Sequence, residues 1–228
     1  MTSGDGSGSS GSGSPLRRRA RTTTGQTWPH KRRSKNSLAA EVAAARQVHP
    51  VELWAMDEHR VGLKPILRRV WARKGERPQV LVRPRYEWLY VYAFVCPETG
   101  ESEFWLAPSV NTETFTGIVQ AFLRRRAHAV MLVLDQAGWH VSAPTQAMGN
   151  QGTLHLRYLP AYSPELQPAE RLWSLTDEPL ANVVFERLAD LEAVLSERCV
   201  RLTEQRERLR RLTQYHWWPG GADHCRTL

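Results

Sequence analysis

Residues 130–140 read VMLVLDQAGWH, and the fold is predicted from this stretch outward. Its first five residues are all apolar, which is typical of a strand buried in the centre of a sheet. Asp135 follows at once, and a turn containing Gly138 comes next. Because ligands bind beyond the carboxyl ends of strands in open α/β sheets, an acid directly after a buried strand indicates a functional site at that edge.

Strand and helix patterns alternate on both sides of this run. Strands are predicted over residues 51–58, 69–72, 79–82, 88–96, 102–107 and 153–159. Helices are predicted over residues 37–47, 112–126 and 186–212, and Pro168 marks the start of another. This order predicts an α/β fold in which helices flank a mixed central sheet.

The first 36 residues differ in composition from the rest of the chain. Residues 1–15 are almost all Gly and Ser, which is typical of a flexible segment. Eight basic side chains follow: Arg17, Arg18, Arg19, Arg21, Lys31, Arg32, Arg33 and Lys35. Asp5 is the only acid among these 36 residues, so most of the formal net charge of +8 belongs to a disordered basic tail. Such a tail suits DNA or RNA because phosphate contacts release counterions, although a basic tail without that role fits the charge equally well.

The composition excludes several classes of protein. A hydrophobic content of 41% excludes wholesale disorder. Three scattered cysteines are too few for a disulfide framework or a paired zinc site. The longest apolar runs are far too short to span a membrane, and no secretion signal opens the chain. We therefore expect a protein of the cytoplasm without a membrane partner.

Two further acids occupy positions comparable to that of Asp135. Asp57 closes the first predicted strand, and Glu170 lies just inside the helix that Pro168 starts. Carboxylates gathered at one site repel one another unless a hard divalent cation lies between them. Two such ions about 3.5–4 Å apart suit phosphodiester chemistry. The same residue types also fit ordinary turn acids and a first-turn acid favoured by the helix dipole.

Three motifs carry a family resemblance. The first is MDE at residues 56–58 followed by GLKP at 62–65 and RVWARKG at 69–75, and the second is LDQAGWH at 134–140. The third is PAYSPEL at 160–166 followed by Pro168, Glu170 and RLW at 171–173. In this order, and with 34 residues between Asp135 and Glu170, they resemble the DDE transposases of the mariner-like superfamily, in particular its bacterial insertion-sequence branch of the insertion-sequence-630 type.

The resemblance implies an RNase H-like fold and a metal-dependent reaction. It implies that Asp57 and Asp135 lie on adjacent strand ends, that Glu170 lies on the helix packed against them, and that all three bind two Mg²⁺ ions, which Mn²⁺ can replace. Such enzymes cut DNA at the ends of a mobile element by water attack. They then join the freed 3′-hydroxyl to target DNA, often at a TA step, and a homodimer on DNA is the family expectation.

The predicted domains follow from this resemblance, and so do the open alternatives. We expect a flexible tail over residues 1–36, a linker helix over 37–49, the catalytic domain over 50–215 and a C-terminal tail over 216–228. Relatives carry helix-turn-helix readers at the N-terminus, and residues 1–49 are too short for them. The chain is thus expected to be a catalytic part or a decayed copy. A stand-alone RNase H-like nuclease and an inactive DNA-binding remnant are the alternatives.

Several residues near the acids receive weaker predictions. His140, Tyr162 and Ser163 are predicted to touch DNA, although His140 equally fits a turn cap and Ser163 an ordinary turn. Glu58 is expected on the opposite face of its strand from Asp57, behind the site or in solvent. The family usually has Asn at the position of Gln167 and a larger aliphatic residue at that of Ala169. Trp173 is expected to anchor its helix.

Overall fold

A five-stranded mixed sheet forms the centre of the protein. The structure is a computed structural model, and it describes residues 27–77, 79, 85–150 and 152–220. The strands are β1 (Val51–Gly62), β2 (Trp88–Cys96), β3 (Glu101–Ala107), β4 (Ala129–Leu134) and β5 (Leu154–Tyr158). They lie in the order β3-β2-β1-β4-β5, in which β1, β4 and β5 are parallel and β2 and β3 antiparallel to their neighbours. The predicted α/β class is confirmed.

Six helices in the described residues cover the sheet. They are α1 (Thr27–Val48), α2 (Thr112–Leu123), α3 (Ala143–Gly149), α4 (Glu170–Thr176), α5 (Leu188–Thr203) and α6 (Arg206–Thr213). Two short 3-10 turns, Pro164–Leu166 and Glu178–Leu180, flank α4. None of the helices in this part of the chain has the length and apolar character needed to cross a bilayer.

Side chains alternate between two cores along β1. Leu53 and Ala55 belong to the core that α1, α4 and α6 cover, whereas Trp54 and Met56 belong to the core that α2 covers. Successive side chains of a strand point to opposite faces. The same alternation assigns the next residue, Asp57, to the α4 face and leaves Glu58 on the α2 face.

Some predicted elements differ from the structure. Residues 69–72 are not a strand, since none of the described segments pairs with them and Trp71 is fully exposed. For the strand predicted at 79–82, Gln79 is irregular and the other three residues lie outside the described residues. The helix predicted over 186–212 is two helices, α5 and α6, that are separated at residues 204–205.

The predicted domain boundaries also shift at both ends. Helix α1 begins at Thr27, so a flexible tail extending to residue 36 is wrong for its last ten residues. Its Lys and Arg residues are good helix formers, and they extend the turn that Leu38 and Val42 anchor in the core. The C-terminal tail predicted from residue 216 begins too early, because Trp218 is buried in the same core. The Gly/Ser-rich segment, with Arg17, Arg18, Arg19 and Arg21, lies outside the described residues.

Candidate active site

Asp57 and Asp135 are brought together by the register of two parallel strands. Strands β1 and β4 pair up to Ala55 opposite Val133, and the same offset sets Asp57 opposite Asp135. Strand β4 ends at Leu134, whereas β1 continues and pairs Asp57 with Ala93 of β2. The prediction that Asp57 closes its strand is therefore wrong. The two acids are adjacent because β4 is the strand that ends there.

Glu170 reaches the same place through a tethered loop. It is the first residue of α4, two positions after Pro168. Just before it, the buried Gln167 side chain donates a hydrogen bond from Nε2 to the carbonyl of Met56 at 2.9 Å. Ala169 is fully buried in the core, where a larger side chain would need more room. Gln167 and Ala169 are the two departures from the family pattern. Gln167 ties the loop to β1 beside Asp57, and Ala169 lets the loop pack closely against the core.

All three acids line one cleft at this edge of the sheet. The cleft has a volume of about 410 Å³, and residues 159–164 of the loop after β5 also line it. Burial, together with the neighbouring Glu58 and Glu170 carboxylates, raises the pKa of Asp57 to about 7. Burial and the charge of Asp135 raise the pKa of Glu170. The cleft therefore concentrates negative charge that a bound cation would neutralise.

The pKa of Asp135 shifts in the opposite direction from those of Asp57 and Glu170, because one of its oxygens accepts two hydrogen bonds. His140 Nδ1 lies 2.6 Å from Asp135 Oδ1, and the Ala137 N–H donates to the same oxygen at 3.0 Å. The hydrogen bond from His140, followed by that from Ala137, holds the pKa of Asp135 below its usual value. Burial alone would lower the pKa of His140, but its bonds to Asp135 and Glu58 raise it to about 9.

Of the predicted DNA contacts near the acids, Tyr162 alone has an accessible side chain. Its ring is 95% exposed at the mouth of the cleft. His140 is fully buried, so the prediction that it touches DNA is wrong. Ser163 lines the cleft, but it is largely buried and donates its hydroxyl to the carbonyl of Ala161, so its DNA contact stays a prediction. The side chains of Lys31, Arg32 and Arg33 lie outside the described part.

The sequence reasoning missed the partner of Asp57. Trp173 was expected only to anchor its helix, yet its indole N–H donates to Asp57 Oδ2 at 3.1 Å. The indole stacks on His59 with ring centroids 5.0 Å apart, and His59 Nε2 contacts Asp177 Oδ1 at 2.9 Å. The position of Trp173, one turn after Glu170 on the same helix, is the signal that could have indicated this contact.

The donor set suits hard divalent cations. Carboxylate oxygens are the ligands that Mg²⁺ and Mn²⁺ prefer. Burial, and after it the repulsion from Glu58 and Glu170, raises the pKa of Asp57, and a bound cation would favour the charged carboxylate. Among the described residues, no group of three or more His, Cys, Asp or Glu side chains is arranged to hold one ion.

A family profile described as DDE superfamily endonuclease matches residues 52–192, a range that contains all three acids. The chain belongs to the DDE superfamily endonucleases. This confirms the relationship predicted from the three motifs, and it makes the protein a DNA-cleaving enzyme by family.

Two curated relatives of this DDE endonuclease come from bacteria. The chain is 36% identical over 108 residues to the uncharacterised protein y4pE/y4sA of Sinorhizobium fredii, covering 46% of this chain and 77% of that protein. It is 26% identical over 168 residues to the uncharacterised 39 kDa protein of insertion element IS630 from Shigella sonnei, covering 72% and 48%. The match thus spans about half the length of the insertion-element protein.

Solved structures share the fold of the DDE endonuclease. The Mos1 mariner paired-end complex with Mn aligns with a TM-score of 0.57 at 16% identity, covering 83% of this chain and 62% of that one. The Mos1 mariner transposase catalytic domain aligns with a TM-score of 0.52 at 15% identity, covering 82% and 91%. The predicted RNase H-like fold is confirmed.

Proposed function

We propose that this chain is the catalytic part of a transposase that cuts DNA at element ends and joins the freed 3′-hydroxyl to target DNA. The observation that carries the proposal is the meeting of Asp57, Asp135 and Glu170 in one cleft, through the register of β1 and β4 and the tethered loop before α4. Membership of the DDE endonucleases and the fold shared with Mos1 transposase support it.

In this proposal Asp57, Asp135 and Glu170 would hold two Mg²⁺ ions, or Mn²⁺ in their place. Such ions stabilise the charge on the attacking and leaving oxygens of a phosphodiester. In the first reaction, water adds to phosphorus as the bond to the 3′-oxygen breaks, which leaves a 3′-hydroxyl and a 5′-phosphate. In the second, that 3′-hydroxyl adds to a target phosphorus and displaces its 3′-oxygen. Both steps are phosphoryl transfers and need no covalent bond to the protein.

The direction of α1 supports DNA as the partner. Arg157, the penultimate residue of β5, donates from Nη2 to Ser37 Oγ at 2.6 Å. Farther along α1, Arg46 donates from Nε to the carbonyl of Val51, at the amino end of β1. Helix α1 thus runs antiparallel to β1. Its backbone over residues 27–36 continues roughly 15 Å beyond Ser37, toward the edge of the sheet at which the cleft opens.

This direction predicts which basic residues strengthen DNA binding. The slope of log K against log salt is negative. Replacing Arg32 and Arg33 with Gln is expected to reduce its magnitude by about 1.8, since each lost phosphate contact removes about 0.9. The matched control replaces Arg124 and Arg206, exposed residues near the other end of the sheet, and should leave the slope unchanged. Fluorescence anisotropy with a labelled duplex at several salt concentrations measures it. Equal slopes for both variants would contradict DNA contact by α1.

The decisive experiment for the proposed function supplies the full chain with a labelled, pre-cut element end, target DNA and Mn²⁺. Joined product is the result expected of a transposase. Nicking without joining would indicate a stand-alone nuclease, and binding without either reaction would indicate an inactive remnant. The same proposal has the protein act as a homodimer on DNA in the bacterial cytoplasm, with TA as the preferred target, and sequencing of the joined products reads that preference.

A further inference from the structure

A buried imidazole lies behind the second acid of the cleft. His140 is fully buried, with Nδ1 2.6 Å from Asp135 Oδ1 and Nε2 3.0 Å from Glu58 Oε1. The ring of Phe115 closes the site at a centroid distance of 4.6 Å. Because a carboxylate can only accept hydrogen bonds, both ring nitrogens act as donors: Nδ1 donates to Asp135 and Nε2 donates to Glu58.

These contacts make the two oxygens of Asp135 unequal. Oδ1 accepts from His140 Nδ1 and from the Ala137 N–H. Oδ2 has no hydrogen-bond partner among the described residues, and Asp135 lines the cleft. The Asp135 side chain is 53% exposed, so packing alone does not fix its rotamer. The two donors to Oδ1 therefore determine that Oδ2 is the oxygen available to a cation.

Glu58 fixes the imidazole in turn. Its side chain is 6% exposed, and Oε1 accepts from Trp139 Nε1 at 3.0 Å as well as contacting His140. A buried carboxylate is costly unless donors satisfy it, so these donors hold Glu58 in one position. Glu58 follows Asp57 directly and lies on the opposite face of β1. The chain of contacts thus connects the strand of the first acid to the side chain of the second.

We infer that His140 and Glu58 are positioning residues for Asp135: His140 holds Oδ1 so that Oδ2 faces a divalent cation in the cleft, and Glu58 holds His140. The inference rests on the proposed function, in which Asp135 binds the ion. It also gives Glu58, the second acid of the first motif, a role that does not involve binding the cation.

Two substitutions at one position separate the two hydrogen bonds. The amide nitrogen of Asn falls near imidazole Nδ1, so His140→Asn keeps a donor for Asp135 and loses the contact with Glu58. The amide of Gln reaches the place of Nε2, so His140→Gln keeps the contact with Glu58 and loses the donor for Asp135. His140→Asn leaves the buried Glu58 with one donor fewer, whereas His140→Gln leaves the half-exposed Asp135 with one donor fewer.

Mn²⁺ binding to the full chain, measured by isothermal titration without DNA, is the readout. His140→Gln is expected to weaken Mn²⁺ binding by about 10- to 100-fold, the range found when partners of metal ligands are removed. His140→Asn is expected to stay within a few-fold of the wild type. Thermal unfolding without metal should show the larger loss for His140→Asn, because a buried carboxylate that lacks a donor costs more than a half-exposed one. Wild-type affinity in a folded His140→Gln protein, or equal weakening in both variants, would overturn the inference.

A measurement on the wild type keeps the inference falsifiable if either variant fails to fold. A long-range ¹H–¹⁵N spectrum of the metal-free protein should show His140 protonated at Nδ1, and Asp135→Asn should shift that signal. An unprotonated Nδ1 would overturn the inference. Absence of Mn²⁺ binding by the wild type, both alone and with a pre-cut DNA end, would overturn the proposed metal site, and the imidazole spectrum would then decide the contact between His140 and Asp135 separately.

Discussion

Replacing Asp57, Asp135 or Glu170 with its amide is expected to reduce cleavage of element-end DNA by about 10³-fold or more. Each amide keeps the volume of the acid and removes the charge that would bind the cation and hence stabilise the charge of the reacting phosphate. The fold should persist, because all three residues line the cleft rather than fill a core. A gel assay of labelled DNA ends, with circular dichroism of each variant, measures both effects.

Asp57→Asn carries an additional signature. Burial and two neighbouring carboxylates raise the pKa of Asp57, so its charged form opposes folding at neutral pH. The amide removes that charge and still accepts the hydrogen bond from Trp173 through its oxygen. The metal-free variant should therefore unfold at the same temperature as the wild type or a higher one. Glu192→Gln, an exposed change on α5, is the matched control and should keep full cleavage. Near-normal cleavage by any of the three cleft variants would refute the assignment of the acids.

Mn²⁺ is expected to stabilise the wild type and to leave Asp135→Asn unchanged. A ligand that binds only the folded state adds about 2.7 kcal/mol to the free energy of unfolding at 100 times its Kd. For a domain of this size, that corresponds to a rise in melting temperature of roughly 5–10 °C. Differential scanning calorimetry against Mn²⁺ concentration measures it, and EDTA should reverse the rise.

The outcome of this titration separates a working site from a decayed one. Glu192→Gln should be stabilised as the wild type is, because the substitution leaves the cleft intact. Equal stabilisation of Asp135→Asn would mean that the ion binds elsewhere. If no protein is stabilised, repeating the titration with a pre-cut DNA end distinguishes an inactive remnant from a site that forms only on DNA.

The three acids and the central strand could be predicted because their signals are local. Five apolar residues followed by Asp135 indicate a buried strand and its functional edge whatever surrounds them. Alternation along β1 likewise separates Asp57 from Glu58 without any knowledge of their partners. The third acid follows from its motif and from the 34-residue interval after Asp135.

Other features depend on contacts between segments distant in sequence. Strand β1 runs past Asp57 because β2 continues to pair with it up to Gly62 opposite Trp88, and nothing in residues 51–58 indicates that length. His140 is buried because Phe115 and Glu58 enclose it, and both are far away in the sequence. Residues 69–72 have the composition of a strand, yet a strand also requires a partner, and the part of the chain that the structure describes offers them none.

The hydrogen bond from Gln167 to Met56 bears on how the chain between the second and third acids tolerates change. Met56 lies one residue past the last pair between β1 and β4, and its carbonyl accepts from a side chain of the loop before α4. The Gln167 side chain thus supplies a hydrogen bond to β1 just beyond the point at which its pairing with β4 ends. The loop is therefore joined to the sheet at a fixed point, unlike a free surface loop, which tolerates insertions and deletions. Glu170 thus stands three residues from a point tied to β1, so a change of length between Gln167 and Glu170 would move the third acid relative to Asp57.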